Sequence, residues 1–282
     1  MNTTFVLVHG ASSNAQSWVP LQQELALLGH RSLAVDLPGH GAARQPAAYY
    51  RNPQDLAELT EAPSPMAGID LADNVEHVIA AVRRVAEHGP VILVGSSMGG
   101  VTISAVGNEI PELLGRIVYL SAWCSATTRT MAEYSTSPEH ATNLLDDAAP
   151  SAMIGDPEAL GAARINWRGV AGELFAELKA AMMADGTDAE FRALLNTLDP
   201  DETMAPATAD AQLRAEAWGR IPHSYVRFTE DRCIPIAMQD RMIAEADDLT
   251  PDNPFDVHSV DGSHVCFFNR AREVAAILAH LS

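Results

Sequence analysis

The stretch Val91-Ile92-Leu93-Val94-Gly95-Ser96-Ser97-Met98-Gly99-Gly100 carries two signals in direct succession. Four apolar residues, three of them β-branched, read as a buried strand, and a Gly-x-Ser-x-Gly follows without a gap. Val101 to Val106 then continues as a helix. Strand, tight turn and helix together make a nucleophile elbow, in which the central residue is forced into a strained backbone conformation. Such a turn needs small neighbours, and Gly95 and Gly99 supply them. Only one register fits, because Ser96 would need glycines where Val94 and Met98 stand. Ser97 is therefore the candidate nucleophile. The competing reading, a phosphate-binding turn, would want G-x-G-x-x-G or G-K-[ST], and neither is present.

Outward from the elbow, the pattern is one of alternating strands and helices. Phe5 to Val8 reads as a short buried strand, followed by the small polar turn His9-Gly10-Ala11-Ser12-Ser13-Asn14. A helical spacing over Trp18 to Leu28 stops at Gly29, and Ser32 to Val35 is the next strand. Strand, helix, strand is a βαβ unit, so the sheet is expected to be parallel with right-handed crossovers. Residues 42 to about 65, with Tyr49-Tyr50 inside them, read as a Pro-bearing loop bordering the site or a plain excursion. An amphipathic helix over Ile69 to Glu87 leads into the elbow strand, and Arg116 to Leu120 is the strand after it. Between Ser121 and about Ile221 no strand is evident. Ala- and Met-rich helical segments there, Val170 to Ala184 and Ala189 to Leu198 among them, are far longer than one crossover needs. The fold class is thus α/β: a mainly parallel sheet of about six strands flanked by helices, residues 1–121 and 222–282, with a helical cap inserted at 122–221. Strands at Tyr225 to Phe228 and Phe255 to Val260, and helices at Ile236 to Ala246 and Val265 to Leu281, complete the core.

A serine hydroxyl is a weak nucleophile at neutral pH and needs a base and a carboxylate that orients the base. On a parallel sheet of this kind the order is Ser, acid, His, each after a strand. Of ten histidines, only His264 sits in a Gly-x-His turn after the last strand; the others, His9 and His258 included, read as surface, cap or structural. Thr229-Glu230-Asp231-Arg232 follows the Tyr225 strand, and Asp231 is the candidate acid, with Glu230 and Asp261 as rivals. The other usual place for an acid, after the Arg116 strand, offers Ser121-Ala122-Trp123 and no carboxylate until Glu133. An oxyanion hole needs two donors. The backbone N–H of Met98, next to the nucleophile, and that of Ala11, behind His9-Gly10, are the candidates. Gly10, Trp123 and Trp167 are candidate substrate contacts, with cap core as the competing reading of the two tryptophans.

The residues just named resemble the α/β-hydrolases, and within them the branch of plant methylesterases, salicylate-binding esterases and hydroxynitrile lyases with their bacterial relatives. The resemblance is carried by Phe5 to Ala11, by Gly95 to Gly100, by Tyr225 to Gln239 with Asp231, Ile234-Pro235 and Gln239, and by Gly262-Ser263-His264. It implies that no metal or organic cofactor is needed, and it leaves a homodimer as an option for the assembly. Lyases of this branch carry a threonine in the first turn and a lysine directly after the histidine. Gly10 and Val265 stand there instead, which turns the expectation from cyanohydrin cleavage to ester hydrolysis. Elimination or cyclisation with the same three residues, a ligand-binding receptor with slow turnover, and a perhydrolase side activity are the alternatives.

Composition narrows the partners. With 18 basic and 37 acidic residues the net charge is −19, and Lys179 is the only lysine. Such a surface repels nucleic acid and anionic membranes and suits a neutral small molecule. Three cysteines, Cys124, Cys233 and Cys266, have no metal-ligand spacing and imply no disulfide framework. No apolar run approaches the ~18 residues of a membrane span, and no basic, apolar leader opens the chain. A soluble cytoplasmic protein is expected.

Overall fold

The computed structural model describes residues 3–43, 50, 51 and 53–282, the side chain of residue 43 excepted. Among the described residues there are eight strands: β1 (Thr4–Val8), β2 (Arg31–Val35), β3 (Val91–Ser97), β4 (Leu114–Ala122), β5 (Ala163–Arg164), β6 (Asp201–Glu202), β7 (His223–Phe228) and β8 (Asp256–Val260). Six of them form one sheet in the order β2-β1-β3-β4-β7-β8, and every pair is parallel. The order reverses between β1 and β3. In open α/β sheets that switch point, at the carboxyl ends of the strands, is where ligands bind. The His9 to Asn14 turn and the elbow meet there.

Helices cover both faces. α1 (Val19–Leu27) and α13 (Ala271–His280) lie on one, with α12 (Cys266–Asn269) just before α13; α3 (Leu71–Ala86), α4 (Gly99–Glu109) and α11 (Ile236–Leu249) lie on the other. Strand side chains alternate between the two cores. Phe5, Leu7, Ile92, Val94, Val118 and Leu120 join α1 and α13, while Val6, Val8, Leu93, Ile117 and Tyr119 join α3, α4 and α11. Burial on both faces explains why the inner strands β1 and β3 contain continuous apolar runs, whereas the edge strands β2 and β8 carry polar, exposed residues. α3 is the most clearly bounded helix, opened by a capping box between Asp70 and Asp73 that satisfies its free N–H groups.

Between β4 and β7 lie α5 (Met131–Ser135), α6 (Leu145–Ala152), α7 (Pro157–Leu160), α8 (Gly172–Met182), α9 (Asp188–Thr197) and α10 (Ala205–Thr208). The apolar residues of α8 and α9, such as Phe175, Leu178, Phe191 and Leu194, belong to the same core as Phe228 and Val260 of the sheet. The insert is not strand-free. β5 and β6 pair antiparallel, Ala163 with Glu202 and Arg164 with Asp201. Two-residue strands are too short to leave an alternating pattern in a sequence. Arg164 is fully buried and binds Asp201 through Nε at 2.5 Å and Nη2 at 2.9 Å.

Two further expectations are corrected. The 42–65 segment contains a helix, α2 (Leu56–Glu61), whose cap Asp55 accepts the Glu58 N–H and whose Leu59 is buried against Tyr50; Tyr49 lies outside the described residues. Six residues with one buried apolar position leave too little periodicity to detect. The last helix is broken at Arg270, whose backbone leaves the helical region at φ −119° and ψ 32° while its Nε reaches Asp185 at 2.5 Å. Among the described residues no helix is long and apolar enough to cross a membrane.

Candidate active site

Ser97 ends β3 with φ +51°, a left-handed conformation that a non-glycine residue adopts only under constraint. The constraint is visible around it. A Cβ on Gly99 would stand 2.5 Å from the His9 carbonyl oxygen, and one on Gly95 would stand 2.8 Å from Ile103 Cδ1. The two glycines thus let the elbow press against β1 and its own helix. Gly10 approaches from the first turn. A Cβ there would lie 2.7 Å from Ser97 Cβ and 3.3 Å from its Oγ. Gly10 therefore borders the serine, and any larger residue would displace one or the other.

Asp231 follows β7 and is 2% exposed. Its Oδ1 accepts the N–H groups of Cys233 at 2.6 Å and Ile234 at 2.9 Å. Its Oδ2 accepts the Ser121 hydroxyl and lies 2.7 Å from His264 Nδ1. With the carboxylate as acceptor, the imidazole proton sits on Nδ1, leaving Nε2 as the basic nitrogen. His264 lies in the turn after β8 and is 8% exposed. The rivals stand elsewhere: Glu230 and Asp261 are both exposed, and Asp261 accepts only the Thr229 hydroxyl, at 3.1 Å.

Ser121 was not singled out by its sequence, although it stands at the end of β4, close to where an acid could have stood. The ladder slips there. Ser96 pairs with Leu120 and Ser97 with Ala122, so Ser121 bulges out at φ +38°. That bulge aims its hydroxyl at Asp231 instead of along the strand. The next residue but one, Trp123, donates its N–H to Ser97 O at 3.1 Å. Ser97, Asp231 and His264 thus stand at the carboxyl ends of β3, β7 and β8, and the end of β4 bonds both to Ser97, through Trp123, and to Asp231, through Ser121.

Of the two candidate oxyanion donors, Met98 follows Ser97 directly and Ala11 follows Gly10, which borders it. Met98 precedes the first turn of α4, where N–H groups have no intrahelical partner. Ala11 is exposed, in a turn closed by the Ser13 N–H to the Gly10 carbonyl at 3.3 Å. His9 fixes the peptide between Gly10 and Ala11. Its Nε2 accepts the Leu37 N–H at 3.1 Å, so Nδ1 carries the proton and donates to Gly10 O at 2.9 Å. Burial, helped by the nearby His40, lowers the His9 pKa to about 3 and keeps the ring neutral. His9 is structural, as its sequence reading expects, but what it holds is the turn beside the nucleophile.

Trp123 and Trp167 are both buried. The Trp123 ring packs on His140 and Tyr134, with centroids 5.4 and 6.4 Å away. Trp167 donates Nε1–H to Asp199 O at 2.9 Å. Both therefore help to pack the insert. Asp231, Cys233 and His264 bring a carboxylate, a thiol and an imidazole within 4.8 Å of one another. The arrangement suits hydrogen bonding better than metal ligation. Burial pushes the Cys233 thiol well above its ordinary value, its Sγ–H donates to Ala181 O at 3.3 Å, and Asp231 already serves three other donors.

A model of the alpha/beta hydrolase family matches residues 5–277. Polyneuridine aldehyde esterase of Rauvolfia serpentina is 24% identical over 287 residues, covering 99% of this chain and 95% of that protein. The putative methylesterase 14 of Arabidopsis thaliana is 23% identical over 283 residues, 99% of this chain and 71% of its own. Among solved structures, the pyrethroid hydrolase from Sphingobium faniae JZ-2 superposes with a TM-score of 0.73 at 20% identity, covering 100% of this chain and 97% of that one. The chain belongs to the α/β-hydrolase family, on the branch of the plant methylesterases and their esterase relatives.

Proposed function

We propose that the protein is a cofactor-free serine hydrolase that cleaves a carboxylic ester, a methyl or other small ester of a neutral, apolar molecule, through an acyl-enzyme. The observation that carries this reading is the buried Asp231–His264 hydrogen bond of 2.7 Å between the turns after β7 and β8, at the same edge of the sheet as a strained Ser97. Ser97 Oγ attacks the acyl carbon while His264 Nε2 takes its proton. Asp231 holds the imidazole in the required tautomer and stabilises the imidazolium. The N–H groups of Met98 and Ala11 receive the negative charge on the carbonyl oxygen, an interaction worth about 3 kcal/mol per donor in the transition state. Collapse of the adduct expels the alkoxide, which leaves with the proton from His264. Water, deprotonated by the same nitrogen, then attacks the acyl carbon and releases the acid and Ser97.

Residues 122–221 act in this reading as a cap over the strand ends, with Gly10, Trp123 and Trp167 as the proposed substrate contacts. Gly10 and Val265 depart from the lyase pattern, and the esterase named among the relatives spanning the whole chain supports hydrolysis. Turnover of p-nitrophenyl and methyl esters of graded size in ¹⁸O-water tests the proposal. One ¹⁸O should enter the acid product, and Ser97→Ala should abolish turnover. Consumption of substrate without label in the acid would instead mean elimination or cyclisation, and binding without consumption a receptor.

A further inference from the structure

The oxyanion turn is held from a side that the catalytic residues do not explain. Ser12 stands at φ +55°, the third residue of the turn from Gly10 to Ser13, where glycine or asparagine is ordinarily favoured. Both of its backbone polar groups are taken by the insert. Its N–H donates to Glu202 Oε2 at 2.5 Å, and its carbonyl accepts the Asp199 N–H at 2.7 Å. Asn14 of the same segment donates to Thr197 O at 2.6 Å and Asp199 Oδ2 at 3.1 Å. Behind the two acids sits His40, with Nε2 3.6 Å from Glu202 Oε1 and Nδ1 3.7 Å from Asp199 Oδ2. Ser12, Asn14, His40, Asp199 and Glu202 are all buried.

Each peptide around Ala11 is thereby fixed. His9 holds the one that contains the Ala11 N–H, Glu202 holds the next, and Asp199 holds the carbonyl after that. Because peptide units are planar, rotation about Ala11 is the only freedom left to the proposed donor, and Glu202 removes it. We infer that Glu202, backed by Asp199 and His40, is a positioning residue that ties the cap to the oxyanion turn and aims the Ala11 N–H. Two buried carboxylates need a compensating charge. Burial alone would lower the His40 pKa, but the Glu202 and Asp199 carboxylates outweigh it and raise it to about 10, so His40 carries that charge.

This inference rests on the hydrolase reading, and its test separates the two. Glu202→Met keeps the length of the side chain without an acceptor, whereas Glu202→Gln keeps an oxygen for the Ser12 N–H. kcat and KM for p-nitrophenyl acetate should be measured per active site, titrated to completion with a fluorophosphonate so that misfolded protein is not counted. Glu202→Met should lower kcat by about 10- to 100-fold, the range for a misaimed group near the reacting atoms, with KM nearly unchanged. Affinity for a trifluoromethyl ketone, which forms a tetrahedral oxyanion, should fall with kcat, while affinity for the acid product should hold. Glu202→Gln should recover most of the loss. A Glu202→Met enzyme with wild-type kcat per site, a loss confined to KM, or equal losses in the two variants would overturn the clamp. If Ser97→Ala keeps wild-type turnover, the hydrolase reading itself fails and the clamp with it.

Discussion

Ser97, held at φ +51°, is where substitution should tell most. Ser97→Ala and His264→Ala should each lower kcat/KM by at least about 10⁴-fold, since members of such a unit are not additive. Asp231→Asn keeps the shape but favours the wrong imidazole tautomer, and about 10³- to 10⁴-fold should be lost. Gly10→Ala should cost about 10²-fold in kcat, the scale of a lost oxyanion donor, because its methyl would press on Ser97; a crystal structure of the variant should show the first turn displaced. At this scale the sequence was informative wherever a motif fixes a residue's chemistry. Gly95, Ser97, Asp231 and His264 are legible because the elbow and the strand order leave few alternatives. Ser121 and Glu202 are not. A serine that bulges by one residue, and an acid from about a hundred residues beyond the elbow, acquire their partners only through tertiary contact.

The turns and short segments that carry these residues are linked through the insert. Asp185, between α8 and α9, accepts the Ser263 hydroxyl and binds Arg270, which fixes the turn carrying His264. Ser263 and Arg270, with hydrogen-bonded Asn269 beside them, outweigh burial and hold the Asp185 carboxyl below its ordinary value. Asp185→Ala should lower the melting temperature by about 2–6 °C, the shift expected for one or two kcal/mol in a chain of this size, and should lower kcat; calorimetry and kinetics on one preparation check both. The long helices and the six sheet strands are legible because their apolar periods are unambiguous. The β5–β6 pair, α2 and the break at Arg270 are not. Each is two to six residues long or is imposed by a side chain from another element, as Asp185 imposes on Arg270.

Over the whole molecule, two opposed histidine shifts shape stability against pH. His9 titrates at about 3 in the fold against an ordinary 6.5, so its contribution is complete above 6.5 and is lost as pH falls towards 3. His40 titrates at about 10 in the fold, so its contribution is complete below 6.5 and is lost as pH rises through 10. Urea midpoints measured from pH 5 to 10 should decline on the alkaline side, and His40→Gln should flatten that limb. The net charge of −19 acts at longer range. For an ester bearing a carboxylate, kcat/KM should rise several-fold as salt shortens the screening length from about 30 Å towards 3 Å, while that for a neutral ester stays level. The proposed chemistry turns on one nucleophile. Peptide mapping of the protein after reaction with diisopropyl fluorophosphate tests it most directly: a single phosphoryl adduct on Ser97, formed as esterase activity disappears and absent from Ser97→Ala, is the predicted result. Loss of activity with the adduct on another residue, or full activity with Ser97 modified, would contradict it.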